Sequence, residues 1–170
     1  MTNMPDNANP NDSAVITSAA EALGVAADAF TQARDMIRAE GTSCVVLRDG
    51  AVIHTADGRG VSPLMALYRG DVAKLSGSAV VDRVIGKAAA MILTLAQAKA
   101  VYGDVMSLAA QDYLAARGIA YAHGESVDMI VNQQGDGMCP IEQSVIAIDD
   151  PAQGLAAMSA RINELMGGAN

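Results

Sequence analysis

The sequence is poor in aromatic and basic residues. It has no tryptophan and one phenylalanine among 170 residues, and its 19 acidic residues outnumber 11 lysines and arginines, for a net charge of −8. Proteins that stack on bases need aromatic platforms, and binding to a phosphate backbone needs clustered positive charge. The sequence offers neither, so we expect no polymeric nucleic acid as a partner. A small-molecule ligand is not excluded.

Cysteines and long apolar runs are also scarce. Cys44 and Cys139 are the only cysteines, too few for a disulfide framework in a chain of this length, so we expect a cytoplasmic location. The most apolar run, residues 88–98, is too short to span a membrane. The first residues include acidic residues and prolines instead of a basic segment and an apolar stretch, which argues against a signal peptide. We therefore expect no membrane partner.

The hydrophobic pattern predicts one α/β domain after a short tail. Residues 1–13 are rich in Asn, Asp and Pro and are predicted to be disordered, with a single domain over 14–166. Apolar residues at steps of three and four predict helices over 15–39 and 79–96. Asp49-Gly50 between two β-rich runs predicts a hairpin. With the strands and helices expected further along, this order is typical of a three-layer α/β/α sandwich with a mixed sheet.

The stretch from Gly135 to Glu142 is the strongest candidate for a functional site. Two glycines within three residues allow a tight loop, and Pro140 suits the first turn of a helix. Cys139 would then lie at a helix N-terminus, where free N–H groups and the helix dipole favour anions and thiolates. We expect the loop to contribute the ligand-binding residues, which are Asn132, Gly135, Asp136, Gly137 and Met138.

The sequence contains an imperfect version of the zinc deaminase signature, which combines His-x-Glu with Pro-Cys-x-x-Cys. His123-Gly124-Glu125 matches the first part. In the second part Pro140 follows Cys139, and Glu142 replaces the second cysteine. Zinc prefers thiolate and imidazole ligands and needs three or four of them from the protein. A site made of His123, Cys139 and Glu142 is therefore a minor alternative, and we expect no metal and no cofactor.

Several motifs in order resemble a small prokaryotic family, domain-of-unknown-function family 1893. They are GVSPL at 60–64, GSAVVDRVIGKAAA at 77–90, NQQGDGMCPIE at 132–142 and IDDP at 148–151. The resemblance covers residues 33–155 and implies a cytidine deaminase-like fold without the zinc ligands. It also implies that a helix bearing Asp82 and Lys87 replaces the His-x-Glu helix, and that the Cys139 helix replaces the Cys-x-x-Cys helix.

If these two helices begin in one cleft, four candidate catalytic residues converge: Asp82, Lys87, Cys139 and Glu142. Lys87 and Glu142 would form a buried ion pair, and the nearby cation would favour the thiolate of Cys139. A packed ion pair without chemistry is the competing interpretation. We expect a zinc-free binder or enzyme for a nucleobase- or nucleotide-like molecule. The alternative is a non-catalytic structural or regulatory homo-oligomer, since the alanine-rich first helix and ten methionines suit partner surfaces.

Overall fold

The computed structural model describes residues 10–39 and 41–167, and within them the chain forms seven α-helices, five β-strands and a short 3-10 helix at Val72–Lys74. In chain order the elements are α1 (Pro10–Leu23), α2 (Ala27–Arg38), β1 (Cys44–Arg48), β2 (Ala51–Ala56), α3 (Ser62–Asp71), β3 (Ala79–Ile85), α4 (Lys87–Leu95), β4 (Ala100–Ser107), α5 (Leu108–Ala116), β5 (Ala120–Val127), α6 (Pro140–Val145) and α7 (Pro151–Gly167).

The five strands form one mixed sheet in the order β2-β1-β3-β4-β5. β1 is antiparallel to both β2 and β3, whereas β3, β4 and β5 are parallel. The predicted hairpin between β1 and β2 is confirmed. Asp49 and Gly50 have φ angles of 52° and 76°, and positive φ at both central residues is what a two-residue turn requires to match the strand twist.

Helices cover both faces of the sheet. α1 and α2 pack against one face, which contributes Val45 and Val81 to a first hydrophobic core. The later helices cover the other face, which contributes Val46 and Val80 to a second core. Neighbouring residues of one strand thus enter opposite cores, because side chains alternate along a strand. This arrangement confirms the predicted α/β class and its mixed sheet.

The predicted helix over 79–96 is wrong in its first half. Residues Ala79–Ile85 form β3, the central strand, and only Lys87–Leu95 form a helix. Gly86 separates the two with an extended backbone (φ −102°, ψ −178°). The segment before Gly86 is rich in β-branched residues, which favour strands. In a short apolar run that is buried on both sides, periodicity alone does not separate a strand from a helix.

The N-terminal part also differs from the prediction. Residues 10–13 were assigned to the tail but begin α1, where Asp12 pairs with the buried Arg34 of α2 at 3.0 Å. Residues 1–9 of the predicted tail lie outside the described residues. The helical pattern over 15–39, in which Gly24 is a possible interruption, forms two helices, because Gly24 adopts φ +67°, a left-handed conformation typical of helix C-termini.

The two N-terminal helices meet at a sharp angle. The chain bends by 108° between the helical segments Asp12–Leu23 and Ala27–Arg38. Within residues 10–39 and 41–167, no single helix is long and apolar enough to cross a membrane, and only this bent pair passes by length and composition taken together.

Candidate functional site

The N-terminus of α4 is occupied by the carboxylate of Glu142. Its Oε2 accepts a hydrogen bond from the backbone N–H of Lys87, and its Oε1 accepts one from that of Ala88, both at 2.8 Å. A β-carbon at Gly86 would lie 2.5 Å from this carboxylate, so only glycine allows α6 to approach so closely. The Glu142 side chain is buried. Burial raises its pKa, and the two backbone donors oppose that rise.

The ammonium group of Lys87 is held by different atoms. Its Nζ donates to the carbonyl oxygen of Ile146 at 2.8 Å and lies 5.8 Å from the ring centre of Tyr113. Ile146 follows the last residue of α6, where the helix dipole favours a cation. The ion pairs found in the described part of the chain do not include Lys87 with Glu142. The predicted side-chain pair is thus replaced by two separate contacts that fix α6 to α4.

Cys139 lies where the sequence predicts, at the residue before α6. Pro140 occupies the first turn of that helix, and the thiol of Cys139 makes no capping hydrogen bond. The side chain is partly exposed, and the backbone N–H donates to the carbonyl of Ile130 at 2.8 Å. Glu142 is three residues further along the chain, so the thiol and the buried carboxylate share one short segment. The structure therefore offers reagents access to Cys139.

The loop before Cys139 is mostly exposed and is held by its own hydrogen bonds. The side-chain amide of Asn132 donates to the carboxylate of Asp136 at 2.7 Å, and its oxygen accepts from the Asp136 backbone at 3.2 Å. Gly135 has φ +74°, so the tight turn requires glycine there. All five predicted binding residues lie on this loop: Asn132, Gly135, Asp136, Gly137 and Met138.

Asp82 lies on β3 instead of a helix and has a partner that the sequence did not reveal. It is the register partner of Cys44 on β1, and its Oδ1 accepts from the backbone N–H of Val84 at 3.2 Å. Both side chains are buried. Burial raises the pKa of Asp82 to about 7, and burial, reinforced by the Asp82 charge, raises the pKa of the Cys44 thiol. No local pattern could have predicted this pair, because the two residues meet only through the pairing of distant strands.

Three of these groups lie on β3 or at the contact between α4 and α6. Among residues 10–39 and 41–167, the buried charged side chains are Arg34, Asp82, Lys87 and Glu142. Glu142 binds the start of α4 at Lys87, and Asp82 lies in the middle of β3, the strand that leads into α4. Open α/β sheets bind ligands outside the carboxyl ends of their strands, where the strand order reverses. β3, β4 and β5 are parallel, so their carboxyl ends lie at one edge of the sheet, and α4 begins at that edge after β3.

Three open grooves on the surface are lined by other residues than Asp82, Lys87 and Glu142. One of about 540 Å³ lies between β2 and α3 and includes His54 and Lys74, and one of about 560 Å³ lies over Arg83 and Asp104. A third, of about 440 Å³, lies between α1 and β5. None of these three is lined by Glu142. They lack a concentration of buried ionisable groups, so the end of β3 is the stronger candidate site.

The alternative zinc site is not assembled. His123 lies inside β5, which continues to Val127. In the part of the chain that the structure describes, no three His, Cys, Asp or Glu side chains are grouped to hold a metal ion.

Comparison with known proteins gives two findings. A family profile described as "TM1506: Domain of unknown function (DUF1893)" matches residues 32–162. The fold is similar to the crystal structure of a DUF1893 family protein (TM1506) from Thermotoga maritima, with a TM-score of 0.67 and 22% identity, over 95% of this chain and 97% of that chain. At this identity the likeness shows the fold alone. No curated protein matches the chain.

Proposed function

The chain belongs to the DUF1893 family, and we propose that it is a zinc-free domain that binds a small nucleobase- or nucleotide-like molecule. The proposed centre is the contact of Glu142 with the start of α4 together with the preceding strand β3, and it includes the buried side chains of Asp82, Lys87 and Glu142. The cytidine deaminase-like assignment is part of this proposal, and the ligand class follows from it. Catalysis would require a reactive Cys139 beside this centre, which is a separate step with its own test.

The burial of three ionisable side chains on β3, α4 and α6 is the observation that carries the proposal. Burying a charge costs free energy even when it is hydrogen-bonded, and apolar side chains of similar size often serve a core equally well. Burial raises the pKa of both Asp82 and Glu142. Perturbed titratable groups are typical of functional sites. Val84, near the end of β3, is 42% exposed, so solvent reaches the region.

The geometry favours a neutral heterocycle over a phosphate. A helix N-terminus is a natural phosphate site, but at α4 the two backbone donors are already bound by the carboxylate of Glu142. Each carboxylate oxygen keeps further acceptor capacity, which suits the ring and amino N–H groups of a base. The net charge of −8 also opposes the approach of an anion.

A panel of nucleobases, nucleosides and nucleotides, screened by ligand-observed NMR, tests the proposal. We expect saturable binding of at least one base or nucleoside, weakened in Asp82→Asn and in Glu142→Gln. Asp104→Asn is the matched control, because Asp104 pairs with Arg38 on the α2 side of the sheet. Failure of every compound to bind, or equal binding by both site variants and the wild type, would overturn the proposal. Stoichiometric zinc in protein purified without chelators would overturn its zinc-free part.

A second candidate is a non-catalytic structural module. It is favoured by the contacts themselves, because Glu142 and Lys87 both tie α6 to the start of α4. Under this alternative, Glu142→Gln lowers the free energy of unfolding, and no compound of the panel binds the wild-type protein. Binding of the panel by the wild-type protein therefore separates the candidates.

A further inference from the structure

β5 (Ala120–Val127) is an edge strand with an open side. It pairs only with β4, and no backbone hydrogen bond joins it to any other segment within residues 10–39 and 41–167. Gly124, Glu125 and Ser126 are exposed. A free strand edge presents a row of N–H and C=O groups that can pair with another chain.

The usual protections of an edge strand are missing from β5. It contains no proline and no lysine, and its register with β4 is the same on both sides of Gly124, the one position between Ala120 and Val127 without a paired residue. Eight residues are also long for an edge, since proteins commonly keep such strands short or cover them. An unprotected edge of this length is suited to pairing with a further strand.

The sequence of β5 is self-complementary about Gly124. If two copies pair antiparallel with a two-fold axis at Gly124, His123 of each copy lies opposite Glu125 of the other. In the same register Tyr121 lies opposite Val127, so apolar side chains also meet. Directly opposed groups of this kind stabilise an antiparallel pair. Two-fold axes centred on His123 or Glu125 would instead place identical side chains opposite each other.

We propose that β5 is the self-association surface of this protein, where a second copy of the chain adds its own β5 antiparallel in the register centred on Gly124. The two sheets then become one continuous sheet of ten strands, and the interface has the residue-to-residue reciprocity of a two-fold dimer. A groove between α1 and β5 borders this strand and is lined by Val15, which is 51% exposed. This inference is independent of the ligand site at β3.

Exchanging the side-chain charges at positions 123 and 125 tests the proposal, and the full chain is used throughout. Sedimentation velocity, run from low to high micromolar protein, gives the dimer dissociation constant of each variant. Glu125→Lys and His123→Glu each remove the attraction at both symmetric positions, so we expect each to weaken the dimer by about tenfold. The double variant His123→Glu/Glu125→Lys restores opposite charges in this register and should recover most of the affinity.

A matched control makes the same change, from glutamate to lysine, at a residue outside β5. Glu164→Lys alters an exposed residue of α7 and should leave the dissociation constant unchanged. Circular dichroism checks that every variant is folded. A wild-type protein that stays monomeric over the whole concentration range overturns the proposal. The proposal is also overturned if the dissociation constant of the dimer is the same in all β5 variants as in the wild type. It is likewise overturned if the double variant dimerises no more tightly than the single variants.

Discussion

Cys44 on β1 and Asp82 on β3 face each other in register, so a thiol and a carboxyl group are buried side by side in the sheet. Burial raises the pKa of Asp82 from 3.8 to about 7. Between these two values the folded protein holds a proton that the unfolded chain has released. The free energy of unfolding therefore falls as the pH rises through this window.

Replacing Asp82 by Asn should flatten this pH dependence. We predict that the wild type loses stability between pH 4 and pH 7, by at most about 1.4 kcal/mol per pH unit from this residue, and that Asp82→Asn loses less. Glu142 has a raised pKa and contributes in the same direction, so part of the slope remains. Urea unfolding at several pH values measures the difference. Asp128→Asn is the control, and an unchanged slope in Asp82→Asn would contradict the assignment.

Gly86→Ala should be destabilising because the new β-carbon would meet the carboxylate of Glu142 at 2.5 Å. We predict a loss of about 1–3 kcal/mol in the free energy of unfolding. Gly70→Ala on α3 is the matched control. It has open space around it, and alanine is the better helix former by about 1 kcal/mol.

The double variant Gly86→Ala/Glu142→Ala shows whether the two losses share one cause. Removing the carboxylate removes the clash, so the effects should be clearly less than additive. Simple additivity would mean that Gly86 matters for another reason.

Iodoacetamide should modify one thiol in the folded protein and two in the unfolded protein. Cys139 is partly exposed, whereas Cys44 is 1% exposed. Cys139→Ser should abolish labelling of the folded state, and mass spectrometry of intact protein counts the adducts. The rate near pH 7 tests the nucleophile hypothesis. If Cys139 reacts no faster than a free thiol, its catalytic role is lost while the ligand-binding proposal stands.

Asp12→Asn should destabilise the protein although Asp12 is near the surface. Its carboxylate binds Arg34, whose side chain is only 4% exposed and would keep a buried charge without a partner. We predict a loss of about 1–2 kcal/mol, reduced from the value for a fully buried pair because Asp12 is half exposed. Asp28→Asn, which changes an exposed residue of α2, is the control. Equal stability of the two variants would show that Arg34 has other support.

The sequence predicted those parts of the fold that depend on neighbouring residues. The Asp49-Gly50 turn and the Pro140 helix start are local, and both are confirmed. β3 was missed because its apolar run, buried on both faces, has no period that distinguishes it from a helix.

In the candidate site, too, the sequence predicted some features, whereas others depend on tertiary packing. Lys87 and Glu142 were predicted to meet, and the structure brings them together, but through the backbone of Lys87. Which atoms make the contact depends on how α6 lies against α4. The pairing of Cys44 with Asp82 depends on strand order. Both are set by tertiary packing and neither is written in a local pattern.

The bond between Glu142 and the start of α4 also constrains the order of events during synthesis. The two partners are 55 residues apart, so α4 leaves the ribosome well before the residue that completes its first turn. Until α6 has been synthesised and has packed against α4, the backbone N–H groups of Lys87 and Ala88 must bind water. This end of the central strand therefore stays accessible to solvent. This contact can therefore form only after residue 142 has been made, and a product truncated before that residue cannot form it at all.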